Sequence, residues 1–166
     1  MSLVETIVAA AKPWADVYAA SKPLSTTFTF AHIASLVVGG GLAIASDRSV
    51  LRARGLAAEE RPRFLREFGT VHRPVIGALG VLVLSGLGML LSDAETYLTS
   101  WILWTKLGLF AVLLANGYLV TRVERALEVN PAPSNPMWGR FRTGALVSMA
   151  LWLVITLFGV IVTSAS

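Results

Sequence analysis

The chain has 166 residues, of which 55% are hydrophobic and 14% are charged. A typical soluble domain has about 25% charged residues, so the composition argues against a soluble protein and favours an integral membrane protein. Cysteine is absent and there are two histidines, which excludes disulfides, thiolate metal sites and iron–sulfur clusters. The formal net charge is +4, but the basic residues lie in short segments between apolar stretches, so we do not predict a nucleic-acid partner.

Residues 1–22 are predicted to form an amphipathic helix in the outer membrane interface. Trp14 and Tyr18 are suited to anchor it there, and Pro13 is expected to bend it. Glu5 and Lys12 interrupt the apolar stretch, and no basic residues precede it, so we do not interpret it as a signal peptide. An ordinary lead-in to the first span remains an open alternative. The apolar positions recur at helical spacing: Val4, Ile7, Val8, Ala11, Ala15 and Tyr18.

Four apolar stretches follow, each long enough to cross about 30 Å of hydrocarbon as a helix of about 20 residues. The sequence therefore predicts an all-α protein, an integral membrane four-helix bundle in residues 23–166 preceded by the N-terminal segment. The predicted spans cover about residues 25–46, 74–92, 101–121 and 141–163.

The connections between the spans differ sharply in charge. Seven arginines lie between Arg48 and Arg73 and four more between Arg122 and Arg142, whereas the second connection has only Asp93 and Glu95 as charged residues. By the positive-inside rule, the first and third connections face the cytoplasm and both termini lie outside. The mixed charges of the first connection fit a solvated loop, and contact with acidic lipid headgroups is the alternative.

His32 is an ionisable residue inside the first apolar span, about 10 to 12 Å below its start at 1.5 Å per residue. Such residues are costly in a membrane and suggest a functional site. Ser35, Gly39 and Ala43 continue the same helix face as a groove of small side chains. A porphyrin could lie along this groove with the histidine as axial ligand. The alternative is a hydrogen bond from His32 to a neighbouring helix, through Ser148 or Asn116 for example.

Lys106 lies about 8 Å below the start of the third span, which runs in the same direction as the first span. It is therefore expected to be nearly level with His32. It could coordinate iron or pair with a carboxylate, or its long side chain could extend to the outer headgroups. His72, at the start of the second span, lies on the order of 20 Å from His32 along the membrane normal, so the two histidines are not expected to share one haem.

The order of these features resembles the HemJ-type protoporphyrinogen oxidases and, more widely, the CopD-like membrane proteins. The first span contains "FAHIAS", an arginine-rich loop follows, and the third span opens with "WILWTKLGL". The second and fourth spans, "RPVIGALGVLVLSGLGMLL" and "WGRFRTGALVSMALWLVI", fit the same order. The resemblance covers about residues 27–163.

The resemblance implies that His32 and Lys106 hold the iron of a haem b, with Ser35 and Gly39 beside the macrocycle. It also implies a multi-pass protein of the bacterial inner (cell) membrane that oxidises protoporphyrinogen IX to protoporphyrin IX. Electrons would pass to a membrane acceptor such as a quinone, and the porphyrinogen would enter from the cytoplasmic side. The arginines expected to meet its propionates are Arg66, Arg73 and Arg140.

The chain departs from the family where a further histidine is expected near the end of the third span, since it has Asn116 and Tyr118 there. This difference leaves open whether the protein is an enzyme or a non-catalytic, electron-transferring b-type cytochrome of the same fold. Copper handling is disfavoured because the four methionines are scattered. Membrane lipid is an expected partner, and a homo-oligomer stays open.

The charge pattern makes the topology testable. A cysteine introduced at Ser49, just after the first predicted span, should react with a membrane-permeant thiol reagent but not with an impermeant one in intact cells, because this end is predicted to be cytoplasmic. Labelling of the same position by the impermeant reagent from outside would contradict the predicted orientation.

Overall fold

The computed structural model describes residues 3–165, and all of their side chains except those of residues 54 and 162–165. In this range the protein is α-helical, with one short 3₁₀ turn at Ala53–Gly55 and no strand. The helices are α1 (Leu3–Ala20), α2 (Lys22–Arg52), α3 (Arg61–Gly69), α4 (His72–Ser92), α5 (Ala94–Thr99), α6 (Trp101–Val129) and α7 (Met137–Ala165).

Four segments of the described chain are long and apolar enough to cross a membrane, with mean hydropathies between 1.5 and 2.3. They are α2, α3 together with α4, α6, and α7 up to Ile161. Large apolar side chains point outward from them, including Phe30, Leu84 and Leu153, each more than 60% exposed. Such a surface suits lipid, and the predicted all-α, four-span membrane protein is confirmed.

The helices extend beyond the apolar stretches from which the spans were predicted. α2 continues through Asp47 and Arg48 to Arg52, and α6 continues to Val129. Charged residues are compatible with helix once the helix has left the hydrocarbon, so hydropathy alone underestimated the length. We call the end of the bundle that carries residues 48–73 and 122–142 the arginine-rich end.

Local sequence explains where the helices begin. The Ser21 hydroxyl accepts a hydrogen bond from the Leu24 amide, and Pro23 lies in the first turn of α2. The Asp93 carboxylate accepts a hydrogen bond from the Thr96 amide and caps α5. Pro62 lies in the first turn of α3, where a missing amide hydrogen costs little.

The four long helices do not contact one another equally. The most extensive contacts join α2 with α4 and α6 with α7, and a smaller contact between α2 and α7 connects the two pairs. α4 and α6 do not pack closely. The bundle is therefore two tightly packed helix pairs that share one interface.

α1 packs against α4, α5 and the start of α2. The Trp14 indole nitrogen donates a hydrogen bond to the Gly88 carbonyl oxygen at 2.8 Å, and the Trp14 ring contacts Tyr18 and Phe28. The N-terminal segment is thus helical over Leu3–Ala20, and its aromatic side chains contact the bundle, while its amphipathic character stays a prediction. Its position in a membrane interface stays a prediction.

Small residues allow α2 to approach its neighbours. A Cβ atom added at Gly39 would lie 2.9 Å from the Ala78 Cβ atom of α4, and one at Gly40 would lie 3.1 Å from the Trp152 ring of α7. Trp152 is 3% exposed and belongs to an apolar cluster contributed by all four long helices. These glycines therefore serve helix packing.

The close approach at Gly39 predicts a difference between Gly39 and Gly41, two residues further along the helix. Gly39→Ala should reduce the free energy of unfolding by about 1–3 kcal/mol, because Ala78 has no flexible atoms that can move aside. Gly41→Ala is the matched control, since nothing lies within 4 Å of its added Cβ, and it should be neutral or slightly stabilising. Denaturant titration in mixed micelles measures both. Equal effects would contradict the described α2–α4 contact.

Candidate functional site

His32 faces α4 and is held there by two polar contacts. Its Nδ1 atom lies 3.1 Å from the Leu82 carbonyl oxygen and 3.2 Å from the Ser85 hydroxyl oxygen. The Ser85 hydroxyl donates to the Val81 carbonyl oxygen at 2.6 Å, and a carbonyl oxygen can only accept. Nδ1 must therefore carry the hydrogen, and in the neutral imidazole Nε2 has the lone pair that a metal requires.

Lys106 is half-buried on α6, with its Nζ atom 3.3 Å from the position of a Cβ atom added at Gly159 of α7. Lys106 therefore lies beside Gly159, near the end of α7, and His32 lies beside Gly86, near the end of α4. The two predicted iron ligands therefore lie in the same part of the bundle, the half opposite the arginine-rich end.

The groove predicted below His32 is filled by neighbouring helices. Ser35 is 7% exposed and donates a hydrogen bond to the His32 carbonyl oxygen at 3.0 Å. Gly39 packs against Ala78 and Trp152, and Ala43 lies against the central apolar cluster. A porphyrin contact at Ser35 and Gly39 stays a prediction, and it requires α2 and α4 to separate from the described arrangement.

A cavity of about 210 Å³ lies beside His32 between α2 and α4. This volume is below the roughly 300 Å³ at which small-molecule sites begin. The cavity is therefore too small for a whole porphyrin. The cavity is lined by Thr27, Phe28, Ala31, Val81, Leu84 and Ser85.

The donor atoms nevertheless fit a haem iron better than a metal bound by side chains alone. Within residues 3–165, no three His, Cys, Asp or Glu side chains come together. A porphyrin supplies four nitrogens and needs only one or two axial ligands from the protein. His32 offers Nε2, while its Nδ1–H bonds a backbone carbonyl, as metal-ligating histidines commonly do. Lys106 offers a second nitrogen.

The interhelical hydrogen bonds of His32 differ from those that the sequence suggested. Neither Ser148 nor Asn116 bonds His32, and the Asn116 amide donates instead to the Gly144 carbonyl oxygen at 3.0 Å. The partner is Ser85, in "VLVLSGLG". It is the only polar residue of that apolar run, and this isolation is the feature of the sequence from which Ser85 could have been predicted as a partner.

His72 forms an ion pair that the sequence did not predict. Its Nε2 atom contacts the Glu124 carboxylate of α6, which is 3% exposed. The aromatic ring of Phe68 stacks edge-on against His72. The pair joins α4 to α6 at the arginine-rich end and does not take part in the His32 region. Glu124 lies among charged residues in "TRVERALEV", so nothing in the sequence distinguishes it as buried.

The three arginines expected to meet propionates are all exposed. Arg66 and Arg73 lie on the outer surfaces of α3 and α4, and Arg140 contacts the Met137 sulfur at 3.9 Å. The structure brings none of them near His32 or Lys106.

Fold and composition define the class of this protein: an all-helical, multi-pass membrane protein. No protein family, curated protein or solved structure matches the chain. The resemblance to the HemJ-type oxidases therefore depends on the short motifs of the spans alone.

The buried ion pair generates a test of its own. His72→Gln should destabilise the protein by about 3 kcal/mol, because it leaves the Glu124 carboxylate buried without its partner. The double variant His72→Gln with Glu124→Gln should be less destabilised, since no buried charge remains. Both are measured by denaturant titration in mixed micelles. A double variant as unstable as His72→Gln would show that the pair does not stabilise the bundle.

Proposed function

We propose that the protein is a haem b-binding integral membrane redox protein in which His32 is an axial ligand of the iron. The observation that carries the proposal is the orientation of the imidazole, with Nδ1–H bonded to the Leu82 carbonyl oxygen and Nε2 left as the metal-binding atom. An ionisable residue at this depth, supported from the neighbouring helix, is the expected form of such a ligand.

Lys106 is the proposed second ligand, in the neutral amine form. Its half-buried position, in the same half of the bundle as His32, supports this role. When bound, haem would supply one-electron redox chemistry. The residues of the chain would hold the iron, orient the imidazole through Ser85 and the Leu82 carbonyl, and keep water away through the apolar helix faces.

For the reaction, we propose oxidation of protoporphyrinogen IX, with electrons passing to a membrane acceptor such as a quinone. The motif resemblance in the first and third spans supports this reaction. The alternative is an electron-transferring b-type cytochrome without catalysis. It is favoured by Asn116, which bonds the Gly144 carbonyl oxygen where the family has a histidine. Complementation of a bacterial strain lacking protoporphyrinogen oxidase separates the two activities.

The haem proposal predicts a haem absorption spectrum for the purified protein and the loss of that spectrum when His32 is replaced. Protein purified from a haem-replete host should show a Soret band, with α and β bands on reduction. His32→Ala should lose at least about nine-tenths of the bound haem, because the iron loses its imidazole ligand. Lys106→Met should keep haem but change its spin state or reduction potential.

The control is the double variant His72→Gln with Glu124→Gln, which removes the other histidine at the opposite end of the bundle and should keep the full spectrum. Size-exclusion chromatography must show that each variant remains folded. If folded His32→Ala protein retains full haem content, the proposal is wrong, and His32 is then an interhelical hydrogen-bond donor only.

A further inference from the structure

A second pocket lies at the arginine-rich end, far from His32. Its volume is about 420 Å³, within the roughly 300–1,000 Å³ typical of small-molecule sites. It is formed where the start of α3 meets the loop before α7 and the first turns of α7. The residues that matter for recognition are Arg61, Pro133, Pro136, Trp138 and Arg142.

Arg61 is the unusual residue of this pocket. It is only 7% exposed, and its buried Nε atom has no hydrogen-bond acceptor in the described part of the chain. Its guanidinium carbon lies 4.7 Å from the centre of the Trp138 ring. The stacking fixes the plane of the guanidinium and offsets part of its loss of water, but it supplies no acceptor for the N–H groups.

Arg142 adds a second cation to the same pocket. Its Nε atom is also buried without an acceptor among the described residues. An arginine side chain keeps its charge under all physiological conditions, and a buried charge without a counter-ion is costly. Two guanidinium groups therefore line one cavity, and neither has a carboxylate partner among the described residues, so the cavity suits an anion.

The acidic residues next to Arg61 in sequence do not supply that anion. Glu59 is exposed, and the Glu60 carboxylate accepts a hydrogen bond from the Ala57 amide at 2.9 Å. Glu67 pairs with Arg63 at 2.8 Å on the exposed side of α3. The neighbouring carboxylates are therefore exposed or bonded to other groups.

The first turn of α7 can favour an anion in this pocket through the helix dipole, but its backbone amides are already used. The Met137 amide already donates to the Asn135 side chain, and the Trp138 and Gly139 amides donate to backbone carbonyl oxygens. The positive end of a long helix still favours an anion here. Recognition would therefore come from the two guanidinium groups, whose planar N–H pairs match phosphate oxygens.

We propose that this pocket binds a phosphate group, with the organic part of a phosphate ester packed against Trp138, Pro133 and Pro136. The source is either the headgroup of an anionic lipid or a soluble phosphate ester, since the recognised chemistry is the same. The inference is independent of haem: Val50, which packs in the apolar cluster with Trp138, is 18 helical residues from His32, or about 27 Å along α2.

The test compares both sources on the intact protein. In one arm, the protein in phosphatidylcholine nanodiscs is titrated with inorganic phosphate and with glycerol 3-phosphate, against sodium chloride at equal ionic strength. In the other arm, phosphatidylcholine discs are compared with discs that contain phosphatidic acid. The unfolding temperature and the tryptophan fluorescence are measured in both arms.

We expect stabilisation in at least one arm, and that arm identifies the source. Arg61→Gln and Arg142→Gln should each raise the dissociation constant about tenfold or more, because each removes a charge-assisted contact. Arg63→Gln is the matched control, because Arg63 lies on the same helix but is exposed and paired with Glu67, and it should leave binding unchanged. If Arg61→Gln fails to fold, Arg142→Gln alone carries the comparison.

Three outcomes would overturn the proposal. Phosphate, glycerol 3-phosphate and phosphatidic acid could all have no effect beyond that of chloride and phosphatidylcholine. Stabilisation could persist undiminished in the folded pocket variants. Arg63→Gln could reduce it as much as they do, which would indicate a general effect of surface charge.

Discussion

Hydrocarbon offers no hydrogen-bond partners, so every polar group within a membrane bundle has to be paired inside the protein. The long helices pair their own backbone groups, and several polar side chains are paired between helices. His32 bonds α4 from α2, Asn116 of α6 bonds a carbonyl of α7, and the ion pair of His72 and Glu124 joins α4 to α6. These polar links connect α2 with α4, α6 with α7, and α4 with α6.

The same constraint explains why one polar residue can serve both structure and function. An imidazole held through Nδ1 by a backbone carbonyl is satisfied as a buried polar group. It is also in the orientation that a metal ligand requires, since its other nitrogen carries a lone pair. His32 as an interhelical hydrogen-bond donor and His32 as a haem ligand therefore require the same contact with α4. The two interpretations differ only in whether an iron approaches Nε2.

Length and hydropathy predicted the fold because a membrane-spanning helix depends on local composition. Four apolar stretches were sufficient for four spans, and the arginine clusters marked one common end. The partners of the polar residues were not predictable in this way, because they depend on how each helix is rotated about its axis. Asn116 and Ser148 were credible partners of His32, yet small residues set the α2–α4 interface so that Ser85 faces the imidazole instead.

The candidate site was predictable only as a pair of residues. Helix direction and rise predicted His32 and Lys106 at similar depth, and both residues lie in the half of the bundle opposite the arginine-rich end. The sequence did not predict what fills the groove below His32, because a glycine such as Gly39 allows either a flat ligand or a neighbouring helix to approach. Arg61 was one of seven arginines in the first connection, and only the fold distinguishes it, by burying it against Trp138.

The unequal packing of the long helices has a mechanical consequence. α2 with α4 and α6 with α7 form two closely packed pairs joined along the α2–α7 edge, while the far edges are connected at the arginine-rich end by the ion pair and by α3, and at the other end by α5. A small rotation about the shared edge would widen the far side without breaking the packing inside either pair, which is the geometry of a hinge. Because α3 and α5 connect the two pairs at opposite ends of this far side, any widening would be greatest between them, in the middle of the bundle.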